Sequence, residues 1–151
     1  MRLTTFSDYS LRVLMYLGVH EGRLATVGEI AATYRVSDHH LVKVVHRLAQ
    51  LGYVETLRGK GGGMRLARPP HKIGLGEVLR GTEDDLSLVE CFDAQASECR
   101  IEPACLLKGI VGRAMDAFFA VLDRHTLADL LGTRSKLAKI LVLPEVRPRS
   151  G

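Results

Sequence analysis

The stretch LVKVVHRLAQLGYVETLRGKGGGMRLAR, residues 41–68, combines an amphipathic helix with a glycine-rich turn. Its first part repeats apolar residues at three- and four-residue spacing and ends at Gly52, as helices often do. Two short β-prone segments, residues 53–57 and 64–67, then flank a run rich in glycine. Because glycine lets the backbone turn sharply, the pattern predicts a β-hairpin, or wing, directly after a helix.

The residues before this stretch predict two further helices. Residues 5–20 have apolar residues at helical spacing, with Ser7 as the expected N-cap. Thr26 and Glu29 form a capping-box pattern at the start of a second helix, and Ser37 is placed to cap the third. Two short helices joined by a tight turn form a helix-turn-helix, whose second helix enters the major groove of DNA. A winged helix-turn-helix domain is therefore predicted for residues 1–82.

The expected DNA contacts lie at the start of the third helix and on the wing. A polar helix face is also typical of plain solvent exposure, and it is the wing that favours DNA. A glycine-rich loop can bind nucleotide phosphates, but GKGGGM lacks the Ser or Thr and the following helix of a P-loop. The predicted DNA-binding residues are Ser37, Asp38, His39, His40 and Lys43, with Arg47 reaching a phosphate and Arg58, Lys60 and Arg65 on the wing.

Composition and charge fit one soluble domain with an extension. The chain has 151 residues, of which 46% are hydrophobic and 25% charged, and a net charge of +4. Basic residues dominate from 39 to 72 and acidic residues from 77 to 102, so only the first region suits a polyanion. No apolar run approaches the roughly 20 residues of a membrane span. We expect a cytoplasmic protein without a membrane partner.

All three cysteines lie in CFDAQASECRIEPAC, residues 91–105. Cytoplasmic thiols are normally reduced, so clustered cysteines there favour metal binding or redox sensing over a disulfide. Their spacing lacks the two-residue knuckle of zinc ribbons, whereas three thiolates and one weaker ligand suit an iron–sulfur cluster. Structural zinc and three unrelated core cysteines remain as alternatives. The segment 83–105 is the predicted cluster loop.

A long helix is predicted from Pro103 onward. Its apolar residues alternate at four- and three-residue steps, a pattern typical of two helices packed together, and we expect it to pair with a second copy of the chain. The region 103–131 is the predicted dimerisation region, and 132–151 is a tail in which no function can be read. The residues of the expected seam are Leu107, Val111, Ala114, Phe118, Val121 and His125.

The sequence does not indicate an enzyme. It contains no Ser/His/Asp set, HExxH motif or paired-carboxylate site, and its six histidines are scattered. His39 and His40 are better explained as groove contacts. The expected class is a DNA-binding regulator.

Three features together carry a resemblance to a known family: FSDYSLRVLMYL, the helix–wing stretch of residues 41–68, and three cysteines before a long helix. Over residues 1 to about 131 the chain resembles the IscR/NsrR family of winged-helix iron–sulfur transcriptional regulators. Through LVECFD, CRIEPAC and HTLADLL it is most similar to the nitric-oxide-sensitive members. The fold implied is mainly α with a small β-wing.

The resemblance implies a cofactor and a mode of action. An iron–sulfur cluster, 4Fe–4S favoured over 2Fe–2S, would be held by Cys91, Cys99, Cys105 and Asp8 of the partner subunit. The implied protein is a homodimeric repressor on double-stranded DNA with an inverted-repeat operator, released when nitric oxide nitrosylates the cluster. A redox or cluster-assembly regulator of the same family and a zinc-binding winged-helix regulator are the alternatives.

Overall fold

The computed structural model describes residues 2–93 and 98–142, and within them it contains seven α-helices and one two-stranded antiparallel sheet. Residues 94–97 of the predicted cluster loop and 143–151 of the predicted tail lie outside the described residues. The expected fold, mainly helical with a β-wing, is confirmed. The elements are α1 (Thr5–Val19), α2 (Val27–Tyr34), α3 (Asp38–Gln50), β1 (Val54–Leu57), β2 (Gly63–Leu66), α4 (Leu75–Thr82), α5 (Leu106–Leu122), α6 (Leu127–Leu130) and α7 (Arg134–Ile140).

Helix α1 forms the centre of the core and begins one turn earlier than its expected cap. Thr4 is the N-cap, and its hydroxyl accepts a hydrogen bond from the backbone N–H of Ser7 at 3.1 Å. The prediction that Ser7 caps the helix is therefore wrong. Ser7 is fully buried, and its hydroxyl lies 2.8 Å from that of Thr82 in α4. Farther along, α1 buries Val13, Leu14, Tyr16 and Leu17.

Helices α2 and α3 form the predicted helix-turn-helix. The capping box is present: Glu29 N–H donates to Thr26 Oγ1 at 3.2 Å, and Thr26 N–H donates to Glu29 Oε2 at 3.4 Å. Arg35 ends α2 with φ 55°, a left-handed conformation that turns the chain toward α3. Ser37 occupies the N-cap of α3, although its side chain makes no capping hydrogen bond. The buried face of α3 consists of Leu41, Val44, Val45 and Leu48.

The wing is a hairpin whose glycines the geometry requires. β1 and β2 pair from Val54 opposite Leu66 to Leu57 opposite Gly63. Gly59 and Gly61 at the tip have φ of 95° and 75°, which residues with a side chain rarely adopt. At its base the wing is joined to the segment before α2, because Ala25 and Met64 exchange backbone hydrogen bonds of 2.9 and 2.7 Å. The hairpin therefore extends the core formed by α1 and α3.

After α5 the chain returns to the first domain. Leu75 N–H donates to His125 O at 3.0 Å, and Leu127 N–H donates to Ile73 O at 2.8 Å. The side chain of Leu127 is fully buried in the core that α1 and α3 share. Leu131 packs so close to α1 that a Cβ on Gly18 would lie 2.6 Å from its Cδ1. Part of the region expected to serve dimerisation thus also completes the core.

Helix α5 departs from its expected bounds at both ends. Pro103 belongs to a short 3₁₀ turn, Glu102–Ala104, and α5 begins only at Leu106, with Cys105 as its N-cap. It ends at Leu122, so His125 does not continue the apolar seam. Among the described residues, no helix is both long and apolar enough to cross a membrane.

Candidate nucleic-acid interface and cysteine site

The first turn of α3 presents the predicted groove contacts to solvent. Because Leu41 and the apolar residues one and two turns farther along face the core, the residues between them point outward. The rings of His39 and His40 are 6.2 Å apart. This surface can offer hydrogen bonds and positive charge to base edges and phosphates. Its members, all exposed, are Ser37, Asp38, His39, His40 and Lys43.

Arg47, expected to reach a phosphate, also has a partner within the chain. Its Nε donates to the carbonyl oxygen of Gly81 at 3.1 Å. This bond joins the recognition helix α3 to the last turn of α4. Arg47 is therefore placed to orient α3, and a phosphate contact from it stays a prediction.

The three basic residues predicted on the wing differ in their surroundings. Arg58 and Lys60 are exposed at the tip of the hairpin. Arg65 lies directly across the sheet from Glu55, and its guanidinium forms an ion pair with that carboxylate. The tip thus carries positive charge on two residues, while the charge of Arg65 is balanced by its neighbour.

Arg68, which the sequence did not mark as important, joins the wing to the end of α3. Its guanidinium lies over the ring of Tyr53 at 4.5 Å. Nε donates to Gly52 O at 3.2 Å, and Nη2 donates to Leu51 O at 3.1 Å. Burial, together with a hydrogen bond to Glu77, raises the pKa of Tyr53 to about 12. Arg68 follows β2 in the chain, far from the end of α3, so no local sequence pattern indicated its contact with the last carbonyls of that helix.

A second polar network fixes α1 against the start of α2. Tyr16 Oη donates to Glu29 Oε1 at 2.6 Å, and Arg23 forms an ion pair with the same oxygen. Burial raises the pKa of Glu29, but the hydrogen bonds from Arg23 and Tyr16 outweigh it, so the pKa lies below its ordinary value of 4.5. Glu29 therefore serves the capping box and this network together.

Cys91 and Cys99 lie within the predicted cluster loop, and Cys105 lies at the start of α5. Cys91 is 9% exposed within the short turn Glu90–Phe92, Cys99 is partly buried, and Cys105 is the N-cap of α5. All three are thiols. Within residues 2–93 and 98–142, no three side chains of His, Cys, Asp or Glu come close enough together to hold one metal ion.

Lys108, one turn into α5, is close to two of these thiols. Its ammonium forms an ion pair with Glu102, which is the main reason that the pKa of Lys108 is raised. It is also near enough to Cys91 and Cys105 for their charges to interact. A cation and the N–H groups of a helix N-terminus both favour negative sulfur. Because thiolates are the usual ligands of iron–sulfur clusters, the chemistry of these donors fits such a cofactor.

Asp8, the fourth residue of the expected ligand set, lies in the first turn of α1. Its carboxylate is 46% exposed and accepts a salt bridge from Arg12 Nη2 at 2.9 Å. The Arg12 guanidinium lies 5.9 Å from the ring of Tyr9 and 5.8 Å from that of Tyr34. Arg12 therefore orients the Asp8 carboxylate at the surface of the chain.

Comparison with known proteins identifies relatives across nearly the whole chain. Residues 3–133 match the Rrf2 family model, described as an iron-dependent transcriptional regulator. The HTH-type transcriptional regulator NsrR of Bacillus subtilis (strain 168) is 50% identical over 146 residues, which are 96% of this chain and 100% of that protein.

Two solved structures are also similar. T. potens IscR has a TM-score of 0.72 and 25% identity, covering 91% of this chain and 90% of that one. CymR, the global cysteine regulator of B. subtilis, has a TM-score of 0.69 and 29% identity, covering 86% of this chain and 95% of that one. The relatives are regulators of transcription, which confirms the expectation that the chain is not an enzyme.

Proposed function

This chain belongs to the Rrf2 family of iron-dependent transcriptional regulators, and on that premise we propose that it is a nitric-oxide-sensing repressor. It acts in the cytoplasm, as a homodimer on an inverted-repeat operator. One observation carries the proposal: the loop that contains all three thiols leads directly into α5, whose apolar side chains are exposed in the single chain. Sensing and pairing would then occur at adjacent sites.

The DNA-reading part of the proposal rests on the exposed start of α3 and on the wing tip. His39, His40 and Lys43 are placed to meet base edges or phosphates, with Ser37 and Asp38 beside them. Arg58 and Lys60 at the tip would contact the DNA backbone. Arg65 and Arg47 would contribute less, because each already has a partner within the chain.

The dimer part rests on the first half of α5. Leu106, Leu107 and Ile110 are 84%, 58% and 54% exposed. Exposed apolar side chains at successive turns of one helix are typical of a surface that another protein covers. Pairing through α5 would bring two recognition helices to one operator, as a two-fold symmetric site requires.

The sensor part of the proposal assigns the cofactor to the predicted cluster loop, residues 83–105. Cys91, Cys99, Cys105 and Asp8 of the partner subunit would hold an iron–sulfur cluster, with 4Fe–4S favoured. When bound, the cluster would supply iron that nitric oxide can attack, and we expect the operator to be released as a result. Arg12 would orient Asp8, and Lys108 would offset part of the negative charge of the thiolates. Nitric oxide is neutral and small, so the acidic loop would not repel it.

The decisive experiment compares the purified chain with Cys91→Ser, Cys99→Ser and Cys105→Ser variants. Under anaerobic conditions we measure visible absorption, iron and sulfide per chain, and binding to operator DNA before and after addition of nitric oxide. Asp84→Asn, an exposed change in the same loop, is the control. We expect each cysteine variant to lose colour, iron and the response to nitric oxide, while the control keeps all three.

Three results would count against the proposal. A cysteine variant that still releases DNA in response to nitric oxide would contradict it. A colourless chain that contains zinc would favour the zinc-binding regulator. A coloured chain that responds to oxygen and not to nitric oxide would favour the redox or cluster-assembly regulator.

A further inference from the structure

Four consecutive residues at the end of α4 contact three other helices. Arg80 binds α5, the carbonyl of Gly81 binds α3, and Thr82 binds α1. Glu83 adds a second contact to the start of α1, because its Oε1 accepts a hydrogen bond from Thr4 N–H at 2.8 Å. We call residues 80–83 the α4 joint.

The contact with α5 is a bidentate ion pair. Arg80 Nη1 and Nη2 donate to the two carboxylate oxygens of Asp123, the C-cap of α5, at 2.6 and 2.8 Å. The Arg80 guanidinium also lies 4.2 Å from the ring of Phe119, the one buried side chain described in α5. A Cβ on Gly76 would lie 1.9 Å from Asp123 Oδ1, so this carboxylate lies directly against the α4 backbone, and a larger residue at position 76 would displace it. Such two-point pairs fix direction as well as distance.

The contact with α3 combines one hydrogen bond with close packing. Arg47 donates to Gly81 O at 3.1 Å, and a Cβ on Gly81 would lie 2.9 Å from Leu51 Cδ1. Glycine at this position therefore lets the end of α3 pack directly on α4. The contact with α1 is the buried hydrogen bond between Thr82 and Ser7. The joint thus holds the recognition helix on one side and the far end of α5 on the other.

We propose that the α4 joint fixes the angle between α3 and α5, and that Arg80 and Asp123 are positioning residues that determine the spacing of operator half-sites. The inference rests on the proposed function, since it requires α3 to read DNA and α5 to pair with its copy. In such a dimer the α4 joint connects each α3 to the α5 of the same chain. The two α3 helices must enter successive major-groove faces about one helical turn apart. A looser joint would let the two recognition helices occupy a range of separations.

The test measures preference for spacing, which a purely structural role would leave unchanged. Operator duplexes are first selected from random-sequence DNA with the wild-type chain. They are then rebuilt with the centre shortened or lengthened by one base pair. Affinities for each spacing are measured for Asp123→Asn, Arg80→Gln and Arg80→Lys. Glu21→Gln, which removes another exposed arginine–carboxylate pair, with Arg134, is the matched control.

For Asp123→Asn and Arg80→Gln we expect the preference for the selected spacing to fall by about fivefold. Arg80→Lys, which keeps the charge but not the two-point contact, should lose most of the same preference. The control should match the wild type. Thermal unfolding and the monomer–dimer equilibrium are measured on each variant, and the ratio between spacings is compared only among folded dimers.

Two outcomes would overturn the inference in distinguishable ways. If the wild type selects an inverted repeat but folded variants keep its spacing preference, the α4 joint does not set spacing, and the proposed function stands. If the wild type selects no inverted repeat at all, the proposed function fails and the joint has no such role.

Discussion

The hydroxyl oxygens of Ser7 and Thr82 lie 2.8 Å apart in the interior, although 75 residues separate them in the sequence. Thr82 Oγ1 also donates to Val78 O at 2.9 Å, so the Ser7 hydroxyl can donate to it in turn. Both side chains are buried, and each therefore needs a partner. This contact joins the first turn of α1 to the last turn of α4. In the chain, α4 follows the helix-turn-helix and the wing and precedes the predicted cluster loop.

Thr82→Val should destabilise the fold. The substitution keeps the shape of the side chain but leaves the buried Ser7 hydroxyl without this partner, which costs about 1 to 3 kcal/mol of unfolding free energy. The double variant Ser7→Ala/Thr82→Val should recover part of the loss, because both polar groups are gone. Urea unfolding of the two single variants, the double variant and the wild type measures these differences. Equal stability of Thr82→Val and the wild type would contradict the prediction.

Glu29 should stabilise the protein in a pH-dependent way. The pKa of its carboxyl is lower in the folded chain than its ordinary value of 4.5, so the ionised form is the one that folding favours. Its contribution is present above pH 4.5 and is lost as the pH falls through the lower folded-state pKa. We expect Glu29→Gln to cost about 1 to 3 kcal/mol near pH 7 and progressively less below pH 4.5.

The measurement for Glu29 is unfolding free energy as a function of pH for the variant and the wild type. Asp84→Asn, at an exposed position in the acidic loop, is the comparison. A constant difference between Glu29→Gln and the wild type from pH 7 to pH 3 would show that ionisation of Glu29 does not matter.

The wing tip should bind DNA through charge alone. Arg58→Gln/Lys60→Gln should weaken binding to operator and to unrelated DNA by similar factors, and should reduce the salt dependence of binding by about 2 in slope. The double variant Lys136→Gln/Lys139→Gln, which removes the same charge from exposed positions in α7, is the control. If the wing variant lost affinity only for the operator, its contacts would be to bases instead of phosphates.

Lys108 should help to retain the cofactor. Lys108→Met removes a cation that interacts with Cys91 and Cys105, whereas Lys108→Arg keeps the charge. After identical anaerobic reconstitution, we expect iron to pass to a chelator several times faster from Lys108→Met than from the wild type, because a favourable charge interaction with the thiolates is lost. Lys108→Arg should behave like the wild type. Equal rates for all three chains would remove Lys108 from this role.

Ile110→Glu should convert the dimer to a monomer. The side chain is exposed in the single chain, so a carboxylate there costs the monomer little, but pairing through α5 would bury it. Sedimentation equilibrium measures the dissociation constant, and helix content by circular dichroism verifies folding. Lys136→Glu, on α7, is the control for added negative charge. A dimer of unchanged strength in Ile110→Glu would place the interface elsewhere.

Local chemistry explains which parts of the fold could be predicted from the sequence. The capping box of Thr26 and Glu29, the end of α3 just before Gly52 and the glycine-rich hairpin depend on residues close together in the chain, and all three are confirmed. Ser7 resembled a cap for the same reason. Its burial depends on Thr82, which no local pattern reveals.

The candidate site was predictable in its residue types but less so in its contacts. The exposed residues at the start of α3 lie where the helical pattern placed them. The partners of Arg47 and Arg65, by contrast, come from α4 and from across the wing, and both follow from the packing of separate elements. The return of Leu127 to the core was missed because α6, Leu127–Leu130, is too short to show a helical period in the sequence.

The C-terminus of α5 is held by the ion pair of Asp123 with Arg80, whereas the apolar side chains of its N-terminal half are exposed. Its 17 residues correspond to a length of about 25 Å at 1.5 Å per residue. At that length, each degree of tilt about Asp123 displaces the N-terminal end of α5, beside Cys105, by about 0.4 Å. A tilt of about 3 to 4 degrees would therefore shift the cysteine end by about 1.5 Å, roughly the length of a covalent bond.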